Sequence, residues 1–335
     1  MNFFLYTKSG DNMKSEIINK KSRVMIYISL FLAFIVSLVN VLPLKKVVEE
    51  NTWIEDYVQI CAHRGGALLN PENTKKAFDY VIKETTYTDI IELDLKLTKD
   101  NVIVINHDDD INRMALDSSE ESVKISEHNY IDLLNYNLGR NFTSLDGKTP
   151  YKNYSVSEAY NAGLTLMTIE DFFVRYNEYR EFKLFIEIKE DGEKGKYIID
   201  EVMKLFDEYD FYKSRSMFIA FDDNLLGYIK NKYPGQYTGA LGNDVIEQIV
   251  FSKVSLDHFY NPSYECIQVP YNDKAKSIPL VRLDDKELIN TFKKRNQLVV
   301  YWGIVTKEDM KKLIGNGAHV ITTDRPDLLA EVLGR

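Results

Sequence analysis

The chain has 335 residues, 44% of them apolar and 28% charged, and a formal net charge of −9. That length admits one large domain plus an extra segment, and the composition is that of an ordinary globular chain. The acidic balance, with no basic stripe after the N-terminus, argues against a nucleic-acid partner.

In chain order, residues 1–23 are polar, with Lys8, Lys14, Lys20, Lys21 and Arg23 against Asp11 and Glu16. Residues 24–44 then run for 21 positions without a charge. About 20 apolar residues cross a bilayer, so this segment reads as one transmembrane helix. It is long for a signal-peptide core and lacks a small-x-small cleavage site, which favours an uncleaved anchor. The basic flank precedes it, so the N-terminus is expected in the cytoplasm and the following domain outside it. Residues 45–56 form a linker, and residues 57–335 the folded domain.

Residues 57–62 are β-formers ending at His63. Pro71-Glu72-Asn73 breaks the chain, and residues 74–84 carry Ala77, Phe78, Val81 and Ile82 at helical spacing. Residues 89–97 alternate as a strand, and residues 101–106 are a further apolar strand delivering His107. Strand, helix and strand in this order predict βαβ units and a parallel sheet. On a strand, positions i and i+2 share a face, so Glu92 and Asp94 point together. Two adjacent buried carboxylates repel, and a hard divalent cation with oxygen ligands is the simple remedy.

These residues carry a resemblance. His63-Arg64-Gly65, Pro71-Glu72-Asn73-Thr74, Glu92-Leu93-Asp94, Thr98-Lys99-Asp100 and His107-Asp108 occur in order. Glu187-Ile188-Lys189 and Thr322-Thr323-Asp324-Arg325-Pro326 follow. The pattern, from residue 59 to the C-terminus, resembles the glycerophosphodiester phosphodiesterase family. The resemblance implies metal-dependent hydrolysis of glycerophosphodiesters to a glycerol phosphate and an alcohol, with His63 and His107 as general acid and base. Glu187 and Lys189 share a strand face; Glu187 is expected to join Glu92 and Asp94 around Ca²⁺ or Mg²⁺, and Arg64 and Lys189 to face the phosphate, with a plain ion pair to Glu187 as the alternative for Lys189. A phospholipase of the C or D type, acting on intact or lyso-lipids, and a non-catalytic phosphodiester-binding barrel are the alternatives.

Residues 108–166 are polar and break the strand–helix rhythm, which reads as an insertion beside the active-site mouth. Beyond it, residues 168–179 form a helix capped by Thr168, and residues 183–188 a strand. Residues 217–221, 237–241, 266–269, 298–302 and 320–323 are further strand candidates. The fold expected is an α/β (β/α)8 TIM barrel of about 250 residues, with an insertion after the third strand. Nine candidates compete for eight places, so one of 237–241 and 266–269 is expected to lie outside the barrel. Trp302 ends a strand and is placed beside the substrate. Its surroundings depart from the family form Trp-Thr-Val-Asn at Gly303 and Val305, and Ala220 stands before Phe221 where a serine is usual. His128, His258 and His319 read as structural. Cys61 and Cys266 are too few for a disulfide framework and, lying in apolar runs, read as buried thiols.

Overall fold

A computed structural model describes residues 10–179, 181–276 and 282–335. The expected N-terminal tail therefore lies partly outside the described residues, from position 1 to position 9.

Eight strands form a closed parallel barrel. They are β1 (Gln59–Ala62), β2 (Ile90–Leu97), β4 (Lys183–Ile188), β5 (Ser216–Ala220), β6 (Thr238–Ala240), β7 (Cys266–Pro270), β8 (Leu298–Trp302) and β9 (Val320–Thr323). Neighbours pair in the order β1-β9-β8-β7-β6-β5-β4-β2, and β1 pairs with β2 to close the ring. A barrel strand is covered on both faces, which is why each reads as a nearly continuous apolar run. Alternate residues point inward. Cys61, Ile90, Phe185, Met217, Cys266, Leu298, Val300 and Val320 fill the barrel as one buried cluster. Their strand neighbours, such as Ile91, Leu93, Ile186, Phe218 and Ile267, pack outward in the core shared with the surrounding helices.

The strand that does not belong to the barrel is β3 (Ile103–Ile105), which pairs antiparallel with β2 alone. Both 237–241 and 266–269, one of which was expected to be peripheral, contribute barrel strands. The reason is chain length: only a short turn, with Asn101 left-handed at φ 61°, joins β2 to β3. A parallel partner needs a crossover of about a dozen residues, so the turn permits only a hairpin. The segment β6 is short, at three residues, and its central Gly239 admits no side chain, since a Cβ would fall 2.5 Å from Ile219 Cδ1.

The helix expected over 74–84 is α-helical across Lys75–Asp79 and continues as a single π turn, Tyr80–Glu84. Thr168 caps its helix as expected, accepting from Asp171 N. The inserted segment builds a satellite core from Ile111, Met114, Leu133, Leu138 and Leu166 against Val104 of β3. The N-terminal helix covers Gly10–Val39, and its stretch Lys20–Val39 is long and apolar enough to cross a membrane. It stops short of residue 44, where Pro43 cannot continue a helix and disfavours helical backbone before it.

Candidate active site

The site gathers at the C-terminal ends of the barrel strands, where inward positions i, i+2 and i+4 climb from the packed interior to the mouth. On β2 the ladder is Ile90, Glu92, Asp94. On β4 it is Phe185, Glu187 and then Lys189. On β7 it is Cys266, Gln268, and on β9 Val320, Thr322 and then Asp324. One cavity is lined by His63, Arg64, Glu92, His107, Glu187, Lys189, Phe221, Leu241, Gln268, Trp302 and Thr322. Each residue singled out in the sequence thus reaches this cavity except Asp94, which is fully buried behind it against Arg64, Asn73 and Lys189.

The turn after β1 sets the first histidine. Arg64, Gly65 and Gly66 all have positive φ, at 52°, 78° and 87°. Gly65 is required there twice over, by its φ and because a Cβ would sit 2.9 Å from Ala77 Cβ. This left-handed turn aims the Arg64 amide at Glu92, N donating to Oε2 at 2.8 Å. His63 Nδ1 is 2.6 Å from Asp324 Oδ1. With the Nδ1 proton held by that carboxylate, Nε2 is the atom left for chemistry.

The second histidine is built the same way from different parts. His107 follows β3, not a barrel strand, and the bond from Asn106 N to Asp94 O (2.9 Å) ties its segment to β2. His107 Nδ1 is 2.7 Å from Asp108 Oδ1. Asp108 in turn accepts from Arg113 Nε at 2.8 Å, and the Arg113 fork takes both oxygens of Glu72 at 2.9 and 2.7 Å. Glu72 also accepts from Arg64 Nη1 at 2.9 Å. A chain of charge-assisted bonds therefore runs Arg64–Glu72–Arg113–Asp108–His107, and the inserted segment supplies its middle member.

Glu92, Asp94 and Glu187 each offer an oxygen, all within 4.8 Å of one another. Asp94 Oδ2 accepts from Asn73 Nδ2 at 2.8 Å and lies 3.3 Å from Arg64 Nε. Lys189 Nζ lies 3.1 Å from Asp94 Oδ1 and also contacts Glu187. Burial, then the neighbouring Asp94 charge, pushes Glu92 up to about 8. Burial and Asp94 likewise raise Glu187. Burial would raise Asp94 as well, but Lys189 and Arg64 hold it below the usual carboxylate range. For His63, burial works downward and is outweighed by the Asp324 hydrogen bond and the Glu92 charge, which push it up to about 9. Glu92 Oε1 is buried without a hydrogen-bond partner among the described residues. Three converging carboxylates, two held toward their neutral forms and one with an orphaned oxygen, fit a hard divalent cation.

Several members of this arrangement carried no role in the sequence reading. Asp324 and Glu72 lay inside quoted motifs, but only their side-chain partners reveal what they hold. Arg113 gave no signal in a polar segment. Gln268 sits in an apolar run two residues after Cys266, so the inward register was its one available clue. Its Nε2, and Trp302 Nε1, have no hydrogen-bond partner among the described residues.

A closed (β/α)8 barrel that gathers two histidines and a carboxylate cluster at its C-terminal face has the build of a barrel enzyme. A family model described as the glycerophosphoryl diester phosphodiesterase family matches residues 63–328, and the chain belongs to that family. A glycerophosphodiester phosphodiesterase of Caldanaerobacter subterraneus is 26% identical over 275 residues, 82% of this chain and 97% of that protein. A human lysophospholipase D, GDPD1, is 40% identical over 79 residues, 24% of this chain and 23% of that protein. Among solved structures, a phosphodiesterase of Oleispira antarctica in complex with the product sn-glycerol-3-phosphate superposes with a TM-score of 0.61 at 16% identity, covering 83% of this chain and 98% of that one. The chain is thus a phosphoric diester hydrolase of the glycerophosphodiester class.

Proposed function

We propose that the chain cleaves glycerophosphodiesters to a glycerol phosphate and an alcohol, with a divalent cation, Ca²⁺ or Mg²⁺, held by Glu92, Asp94 and Glu187. The observation that carries this reading is one cavity lined by two carboxylate-backed imidazoles, His63–Asp324 and His107–Asp108, together with Glu92 and Glu187 of the three convergent acids. When bound, the cation supplies charge that neutralises a non-bridging phosphoryl oxygen.

The residues do the rest. Arg64 presents a planar fork to the phosphate, braced from behind by Glu72 and Asp94. Lys189 adds a point charge beside it. One imidazole Nε2 takes the proton from the attacking hydroxyl as its oxygen bonds to phosphorus; that hydroxyl belongs to water, or to the neighbouring glycerol carbon, in which case a cyclic phosphate forms first and water then opens it to the glycerol phosphate. The bond from phosphorus to the departing alkoxide breaks, and the other imidazole protonates that alkoxide. Trp302 and Gln268 offer uncharged donors to the alcohol portion. The residues 108–166 act as an insertion at the mouth, contributing Arg113 to the bracing of His107.

The N-terminal helix is read as a single membrane span with its N-terminus in the cytoplasm and the barrel outside. Since the human relative named above is a lysophospholipase D, a lyso-lipid is the second substrate to be tried. The test is release of glycerol phosphate from glycerophosphocholine by the purified chain. His63→Ala and His107→Ala are expected to lower that release by about 10²-fold or more while the fold stays intact. Full activity in either variant refutes the acid–base assignment.

A further inference from the structure

The linker between the N-terminal helix and the barrel is docked along its length. Asn40 Nδ2 donates to Ser255 O at 2.9 Å, and Val47 N to Arg295 O at 2.8 Å. Asn51 Nδ2 donates to the carbonyls of Glu265 and Asn296 at 3.0 and 2.9 Å. Asn296 Nδ2 returns bonds to Val48 O and Glu49 O, both at 2.9 Å. Glu265 immediately precedes β7, and Asn296 lies just before β8. These contacts therefore all lie on the face where the barrel strands begin. Trp53 then enters the barrel from that face. It is 1% exposed and stacks on Phe185 with ring centroids 5.5 Å apart.

The cavity lies at the opposite face. Every barrel strand runs the same way, so the docked linker and the catalytic residues are separated by the length of the strands. For the six residues of β4 that is roughly 20 Å at about 3.3 Å per residue.

We propose that, with the N-terminal helix in a bilayer, the barrel stands on its strand-start face and its catalytic cavity opens away from that bilayer. The diester is then drawn from the aqueous side and not from headgroups of the membrane that holds the enzyme. This rests on reading the helix as a membrane span. It separates the two substrate readings, because a lyso-lipid seated in the same bilayer cannot bring its phosphate to a cavity a barrel's height above it.

The test uses the full chain reconstituted in phosphatidylcholine vesicles containing a headgroup-labelled acceptor lipid. A donor fluorophore is placed at Glu50→Cys, in the docked linker, or at Val305→Cys, at the rim. Cys61 and Cys266 are both 0% exposed, so the label goes to the introduced thiol. Energy transfer is expected to be about twofold or more stronger from position 50 than from position 305, given the roughly 20 Å between the two faces. Equal transfer, or stronger transfer from position 305, overturns the proposal. No transfer from either position shows that the helix does not insert, which removes the membrane reading and this inference together.

The same vesicles then distinguish the source of substrate. Glycerophosphocholine is hydrolysed with the kcat/KM found in detergent, while lysophosphatidylcholine in the enzyme's own bilayer is spared. Preferential cleavage of that embedded lyso-lipid overturns the proposal. Loss of glycerophosphocholine turnover in vesicles and detergent alike sinks the diesterase reading instead, and leaves the orientation to the fluorescence result.

Discussion

The two walls of the cavity are made differently. The wall from β1, β2 and β4, completed by His107 and Asp324, is built from titratable and charged side chains, most of them cross-paired. The wall from β5 to β8 carries no charge: Phe221, Leu241, Gln268 and Trp302 face the acids and histidines across the cavity. On the proposed function the difference separates two tasks. Charged groups would meet the charge that develops on the phosphoryl group, where a low dielectric strengthens them. Uncharged donors with no hydrogen-bond partner among the described residues, Gln268 Nε2 and Trp302 Nε1, are suited to reading the hydroxyls of a neutral alcohol. Changes to the charged wall are therefore expected in kcat and changes to the neutral wall in substrate choice.

The largest effect is expected where the comparison is sharpest. Removing either imidazole, by His63→Ala or His107→Ala, is expected to lower kcat by about 10²–10⁴-fold, the usual worth of positioned acid–base groups. Steady-state kinetics on glycerophosphocholine reads this, with a circular dichroism melt to confirm folding.

Cation removal comes next, and its sign with pH follows from Glu92. The carboxyl ordinarily titrates at 4.5 but is pushed up to about 8 in the folded chain by burial and by Asp94. Between those values the unfolded chain has released the proton and the folded chain still holds it. Glu92 therefore costs the cation-free fold stability as pH rises from 4.5 through about 8. A bound cation removes that cost, so added Ca²⁺ or Mg²⁺ raises Tm more at about pH 9 than at about pH 6, where it must displace a proton. Equal shifts at both values contradict the placement of the cation on Glu92.

A smaller effect is expected one step back from the reacting atoms. Arg113→Ala leaves Glu72 and Asp108 without their shared partner and lets His107 turn. A fall of about tenfold in kcat with KM nearly unchanged is expected, consistent with loss of one or two charge-assisted bonds. Free guanidinium is expected to restore part of it, whereas Arg113→Lys, lacking the planar fork, restores little. The smallest effect falls on the neutral wall. Gln268→Met keeps the volume and deletes the donor. It is expected to weaken binding of glycerol phosphate by about tenfold or less while leaving inorganic phosphate unaffected, as calorimetry can show. Equal weakening of both ligands erases the distinction between the walls.

The charged wall was largely legible in the sequence, and the neutral wall hardly at all. Polar side chains two apart in apolar strands, as at Glu92 and Asp94 or Glu187 and Lys189, contradict burial unless they share a task. Gln268 and Trp302 do not stand out in this way, because a tryptophan at a strand end and an amide in an apolar run also occur in ordinary cores. The misplacement of the ninth strand has another cause. An apolar run looks alike whether it pairs parallel or antiparallel, and only the short link from β2 to β3 excluded a crossover. Asp324 and Asp108 needed coordinates, since their meaning lies in which imidazole nitrogen each one holds.

The central claim is that three carboxylates of the charged wall hold one divalent cation on which turnover depends. Calorimetric titration of Ca²⁺ or Mg²⁺ into the chelator-stripped chain, compared with its Glu92→Gln/Glu187→Gln variant, tests it most directly. One ion per chain is expected to bind to the former, and none at the same concentration to the variant, with glycerophosphocholine turnover following occupancy. Unchanged binding in the variant, or full turnover in the chelator-stripped chain before any ion is added, would contradict it.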